Sequence, residues 1–142
     1  MALIRNDQAQ EALILYLKTK TIVTDEVTHD DPNGNSYIDI REDQFQGTVF
    51  AYPNIRLRMI SNEPMDDNCD HSIITYSWMV FSETPDSLQA DYIAGIINAQ
   101  LHDKQFISNS IAFTVRTVNI IPAVRIDART WRSEVIQRSV VS

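Results

Sequence analysis

The segment HSIITYSWMVFSE, residues 71–83, limits the possible folds more than any other part of the chain. On an extended backbone Ile74, Tyr76, Trp78 and Val80 point one way, while Ile73, Thr75, Ser77, Met79 and Phe81 point the other. Bulky groups on both sides predict a central strand with something packed against each face. The residues that follow, TPDSLQADYIAGIINAQL, change period. Thr84 is placed to cap a helix, Pro85 to occupy its first position and Asp86 to sit near its positive end. Ala90, Ile93, Ala94, Ile97 and Leu101 then form one apolar stripe at helical spacing.

Elsewhere the patterning is weaker but readable. Asp7 and Gln10 have capping-box spacing, and Ala9, Leu13, Tyr16 and Leu17 predict an amphipathic helix from about Asp7 to Lys18. TIVTDEVTHDDPNGNSYIDI sets two β-prone runs around Pro32, Asn33 and Gly34, which predicts a hairpin. Its strands carry little continuous apolar surface, so residues 21–50 are expected to form an arm that projects or leans on a neighbour. Ile55, Leu57 and Met59 alternate with Arg56, Arg58 and Ile60, a half-buried strand with Pro53 at its start. Strands are also expected around Ile111 to Ile120 and Thr130 to Val141. The order predicts a single α+β domain over 1–142: a mostly antiparallel sheet, two main helices on one face and a projecting hairpin or arm.

A length of 142 residues suits one hydrophobic core. With Lys+Arg 12 against Asp+Glu 19, the formal charge of -7 disfavours broad nucleic-acid binding while leaving room for a local basic lining. The lone cysteine, Cys69, has no internal disulfide partner, as suits a reducing compartment. No apolar run reaches membrane-span length, and MALIRNDQAQ lacks the layout of an export signal. A soluble, unexported protein is expected.

Residues suited to chemistry do not assemble into a motif. His29, Asp31, Asn33 and Gly34 partly match a calcium loop, but His29 holds the first ligand position and Ile40 the one that needs a bidentate Glu. Turn chemistry is the better reading. Asp66, Asp67, Cys69, Asp70 and His71 lie close in sequence, without a second Cys/His pair to complete a zinc site or a base to activate the thiol. His102 is expected to meet the carbonyl end of the second helix. No catalytic, cofactor-binding or metal-binding residue is assigned. Arg116, Arg125, Arg129, Arg132 and Arg138 concentrate in the last quarter. They fit either rim salt bridges within the chain or a seam or channel strip between subunits. In a head-to-tail ring, Glu42 and Asp43 of one copy would meet Arg129, Arg132 or Arg138 of the next, which makes these five the expected subunit-interface residues.

Helix, hairpin, strand, then HSIITYSWMVFSETPDSLQADYIAGIINAQLHDKQF, then strand and RTWRSEVIQRSVV resembles the tail terminator (tail completion) proteins of tailed bacteriophages. Trp78, Ala90, Ile93 and Leu101 occupy the family's matching hydrophobic places, and the long acidic segment from Thr24 to Gln46 departs from its shorter members. The resemblance implies a hexameric ring at the head-proximal end of the tail tube. Such a ring ends tube polymerisation and binds the head connector or head-closure protein. It implies a virion protein of the tail or neck, assembled in the host cytoplasm, with no cofactor, no membrane and DNA only as cargo in the channel. A two-sided apolar strand, open sheet edges and an arm also call for partners, and a closed ring satisfies them without fibre growth. The alternatives are another neck or tail component (a head-closure protein or tube subunit), a monomeric binding module using the basic C-terminal strands, or a small hydrolase using Asp66 to His71.

Overall fold

The computed structural model describes residues 4–65, 68–83 and 85–142, those at 68–70 as backbone only. Along it run α1 (Asn6–Leu17), α2 (Thr21–Thr24), β1 (Thr28–Asp30), β2 (Ser36–Ile38), β3 (Ile40–Glu42), β4 (Asn54–Met65), β5 (Asn68–Ser82), α3 (Leu88–Leu101), β6 (Gln105–Ser108), β7 (Ile111–Arg125) and β8 (Trp131–Val141).

Because β5 is apolar on both sides, it has to be interior, and it is. The six-stranded sheet has the order β3-β4-β5-β8-β7-β6, antiparallel throughout except for the parallel β3–β4 pair. Ile74, Tyr76, Trp78 and Val80 point beneath the helices and are fully buried. In register with them stand Ile55 and Leu57 of β4 and Val135, Gln137 and Ser139 of β8, all buried on the same side. The α3 stripe of Ala90, Ile93, Ala94, Ile97 and Leu101 closes over β5, β7 and β8. Helix α1 lies across the sheet and reaches from the β3–β4 side to the β6 edge: Gln10 Nε2 donates to the Leu57 carbonyl of β4 at 3.4 Å, and Tyr16 stacks on Phe106 of β6 at 3.6 Å. Each large side chain taken fully out of water here contributes about 1.5–3 kcal/mol.

Among the described residues no helix covers the other face of β5, yet Ser77 and Met79 are buried there. Their register neighbours are long and mostly charged: Arg58 of β4 and Ile136 of β8 flank Ser77, while Arg56 and Glu134 flank Met79 from β4 and β8. The second covering layer is thus made of side-chain stems and not of another element.

Several boundaries differ from expectation for local reasons. Helix α3 starts at Leu88, not Pro85, because the Asp86 carboxylate accepts the Leu88 N–H at 3.0 Å and ends the turn before the helix. The expected cap at Thr84 lies outside the described residues. At α1, Gln8 and not Gln10 reaches back, its Oε1 accepting the Arg5 N–H at 3.1 Å. The β-branched run at Thr21–Thr24 is a helical turn, since Val23 and Thr24 both donate to the Lys20 carbonyl and Val23 is thereby buried. Strand β6 was not expected. It forms because Asn109 and Ser110, at φ 51 and 64, make a tight reversal that pairs Ser108 with Ile111.

Pro32, Asn33 and Gly34 do sit in the turn of a hairpin, β1–β2, which is a separate two-stranded sheet. Its flanks are fixed to the body: Val23, Val27 and Ile40 are fully buried, and the Asp39 N–H donates to the Val27 carbonyl at 2.9 Å. The distal end of β7, with the turn after it, lies at the sheet edge: β8 beside it is paired to β5 along Trp131–Val141, and no strand among the described residues flanks its other side. There Val118, Ile120, Val124 and Ile126 are 56%, 42%, 44% and 42% exposed.

Candidate assembly surfaces

The bare face of the sheet is basic although the chain as a whole is acidic. Alternation puts Arg56 and Arg58 of β4 and Arg132 and Arg138 of β8 on the side away from the helices, and Arg116 of β7 stands directly opposite Arg138. Like charges facing across an antiparallel pair repel. Arg116 leans toward Asp103, 3.8 Å away, while Arg138 has no ion-pair partner among the described residues. Arg132 is already answered within the subunit by Glu134 at 3.2 Å, whose other oxygen accepts from Ser77 at 3.1 Å. Arg129 sits in the exposed β7–β8 turn beside Asp127. The N–H groups of Arg129 and Thr130 hold the Asp127 carboxyl below the usual carboxylate range.

Glu42 and Asp43 belong to a corner organised by a buried charge. Asp39 is fully buried and accepts from Arg56 Nη1 at 2.6 Å and from the Ala51 N–H at 3.1 Å, with Arg41 Nε at 3.7 Å. The Arg41 guanidinium lies 4.0 Å above the Phe45 ring, and that of Arg56 is 5.5 Å from it. These contacts tie the loop after β3 onto the sheet. Gly47 packs directly against the Phe45 ring, and a Cβ there would collide with it as the ring now lies. The corner leaves Glu42 and Asp43 partly exposed at the sheet edge, with Asp43 tied by its N–H to the Leu57 carbonyl at 2.9 Å. The five expected interface residues therefore do not meet within one subunit. Glu42 and Asp43 lie at the β3 edge, Arg132 and Arg138 on the interior strand β8, and Arg129 in the β7–β8 turn.

The fold is shared with a virion chain. A chain of the virion of a native gene transfer agent particle superposes at a TM-score of 0.71 and 12% identity, over 93% of this chain and 92% of that one. A second solved protein superposes at 0.60 and 14% identity, over 94% and 90%. No protein-family model matches the chain, and no curated protein matches its sequence.

The residues weighed for chemistry have structural partners. Asp31 Oδ1 accepts the N–H groups of Asn33 and Asn35, both at 2.9 Å, so it shapes the turn. His29 Nε2 lies 2.8 Å from the Pro53 carbonyl oxygen and donates to it. His102 does not turn back to the helix carbonyls as expected. Its Nδ1 accepts the Thr117 N–H at 3.0 Å, which leaves the ring proton on Nε2, facing Asp103 at 3.2 Å. Among the described residues no three His, Cys, Asp or Glu side chains converge as metal ligands, and no helix is long and apolar enough to cross a membrane. Asp66 and Asp67, and the side chains of Cys69 and Asp70, lie outside the described residues.

Sequence reasoning missed two surface features. One is the run of exposed apolar residues at the distal end of β7, Val118, Ile120, Val124 and Ile126, which continues past the expected strand end at Ile120. The other is an open groove of about 410 Å³ between α1 and the β3 corner, lined by Ile14 and Leu15 together with Glu11, Lys18 and Glu42. Only the apolar Leu15 on the outer side of α1 signalled it in advance.

Proposed function

We propose that this chain is a structural protein of a phage-like virion. It acts as a tail terminator: a ring, hexameric by the family resemblance, at the head-proximal end of the tail tube. There it ends tube growth and offers the head connector or head-closure protein a surface. Its role is assembly and not catalysis, and DNA meets it only as cargo in the channel. The observation that carries this reading is the shared fold with a virion chain over nearly the full length of both chains. The ring's seam runs from Glu42 and Asp43 of one subunit to Arg129, Arg132 and Arg138 of the next. The separation of the two groups in one subunit supports this, because they can be paired only between copies.

A tube subunit is the second reading, favoured by one feature. Residues 115–125 of β7 have β8 on one side and, among the described residues, no strand on the other. Such an edge can accept another chain. The two readings differ in an assay of tube growth. A terminator added to assembling tubes of the same virion shortens or arrests them and is found at one end only. A tube subunit lengthens them and is found along the wall.

A further inference from the structure

Where the loop after β3 folds back onto the sheet, it encloses a recess of about 240 Å³ lined by Phe45, Phe50, Tyr52 and Phe81 together with Asp43 and Asn54. Two of the groups that line it lack a donor. Asn54 is buried, and its Nδ2 donates to the Ala51 carbonyl at 2.9 Å, which fixes the amide with Oδ1 turned the other way. That oxygen is out of water and has no donor among the described residues, a costly state for a buried acceptor. The Asp43 carboxylate is likewise without a partner among the described residues. The walls are aromatic: Phe50, half exposed, meets Tyr52 edge-on with ring centroids 6.1 Å apart. Arg56 also lines the recess, but Asp39 answers its charge at 2.6 Å. Over residues 39–56, Asp39, Glu42 and Asp43 outnumber Arg41 and Arg56. Free acceptors, a negative balance and aromatic walls call for a cation that carries several N–H donors on a flat frame, and a guanidinium is that group. The corner already uses this chemistry, since the Arg41 guanidinium lies 4.0 Å above the Phe45 ring.

We propose that this recess is an arginine-binding site and that Arg129 of a second copy fills it, its guanidinium between the Asp43 carboxylate and Asn54 Oδ1 and against the rings of Phe50 and Tyr52. This rests on the ring reading above, which brings Asp43 of one copy to Arg129, Arg132 or Arg138 of the next, and it chooses among the three. Arg132 is paired with Glu134, and Arg138 stands on an interior strand beside Arg116. Arg129 is exposed in the β7–β8 turn, and its guanidinium has no partner among the described residues. A side chain carried on a turn can enter a recess, whereas one on a flat interior strand reaches only its rim. The aromatic walls matter because an exposed ion pair contributes little by itself, while an arginine seated in an aromatic pocket and shielded from water is the kind of anchor that dominates an interface. Recess and turn are different surfaces of the same molecule, so the contact is head-to-tail, as a ring requires.

The test has two arms, both on the full chain, with circular dichroism and thermal melting to show that each variant keeps the parental fold. In the first, methylguanidinium is titrated into the chain below its assembly concentration and followed by NMR. It should shift the ring signals of Phe50 and Tyr52 and the side-chain amide of Asn54, and methylammonium, which lacks the planar fork, should bind more weakly. Asp43→Asn and Phe50→Ala should each weaken methylguanidinium binding by about threefold or more. In the second arm, light scattering follows assembly. Asp43→Asn, Phe50→Ala and Arg129→Gln should each raise the concentration needed for rings by about threefold or more, and Arg129→Lys should recover only part of the loss. Methylguanidinium that moves none of the three signals would overturn the site, whatever the chain assembles into. Rings of Arg129→Gln at the parental concentration would overturn Arg129 as the occupant and leave the ring reading standing. A parent chain that stays monomeric at every concentration would overturn the ring reading and the occupant together, while the titration still decides the site.

Discussion

The indole Nε1 of Trp78 donates to the side-chain oxygen of Gln137 at 3.1 Å, and both residues are wholly buried beneath α3. Gln137 in turn donates to Thr117 Oγ1 at 3.3 Å, and that hydroxyl donates to Asn98 Oδ1 at 2.5 Å. One chain of hydrogen bonds thus links β5, β8, β7 and α3. It specifies strand order and register, because a slip of β8 by one residue would bury Ile136 and leave the indole N–H without its acceptor.

Replacing Gln137 by Leu removes the acceptor but keeps approximate size. The buried indole N–H then loses its acceptor, at a cost of about 1–3 kcal/mol if unsatisfied, while the Thr117 hydroxyl keeps Asn98. Urea denaturation should show a lower midpoint with an unchanged slope. A midpoint equal to the parent's would mean that the network contributes nothing to stability.

The neighbouring Tyr76 hydroxyl lies 2.6 Å from Ser139 Oγ, and burial raises its pKa well above the ordinary tyrosine value. Because the folded pKa exceeds the unfolded one of about 10, folded chains hold the phenolic proton that unfolded chains release. Stability from this group is complete below pH ~10 and declines as pH rises beyond it. Tyr76→Phe should lose about 1 kcal/mol near neutral pH and show a shallower decline at alkaline pH. Unfolding free energies measured from pH 7 to 11 check both, and parallel curves for the two proteins would refute the pH argument.

Asp39 and Arg56 form a buried pair, and breaking such a pair from one side leaves a charge uncompensated. Asp39→Ala should cost about 3–5 kcal/mol. Asp39→Ala with Arg56→Met should recover part of that loss, which a double-mutant cycle measures. A single-variant loss under ~0.5 kcal/mol, the level of surface changes, would contradict the pairing.

The sequence made the centre of the fold legible and its periphery less so. The β5 alternation and the α3 stripe are statements about burial, and burial is what periodicity reports, so the central strand and its covering helix follow directly. Gln137 could not be recognised as the partner of Trp78, since a polar residue on an apolar strand face gives no sign of a bond to a strand far away in sequence. Helix α2 was missed because Thr21, Val23 and Thr24 favour strands locally while tertiary packing needs Val23 and Val27 in the core. The arginines of the bare face were visible as a C-terminal cluster. That Arg132 is paired with Glu134 while Arg138 faces Arg116 depends on register, which composition does not encode.

Charge reversal separates these roles. Arg132→Glu with Arg138→Glu should shift rings toward monomers, most clearly at low salt, each exposed pair being worth about 0–1 kcal/mol. Adding Glu42→Lys and Asp43→Lys in the same chain should restore part of the assembly. Sedimentation across salt concentrations reads both effects. Unchanged assembly of the double arginine variant would remove these arginines from the seam.

The most direct measurement is electron microscopy of the purified full chain across a range of concentrations. The account predicts discrete rings of uniform diameter with a central hole, six subunits around each, and no growth into longer objects. A population that remains monomeric, or one that extends into tubes, would contradict it.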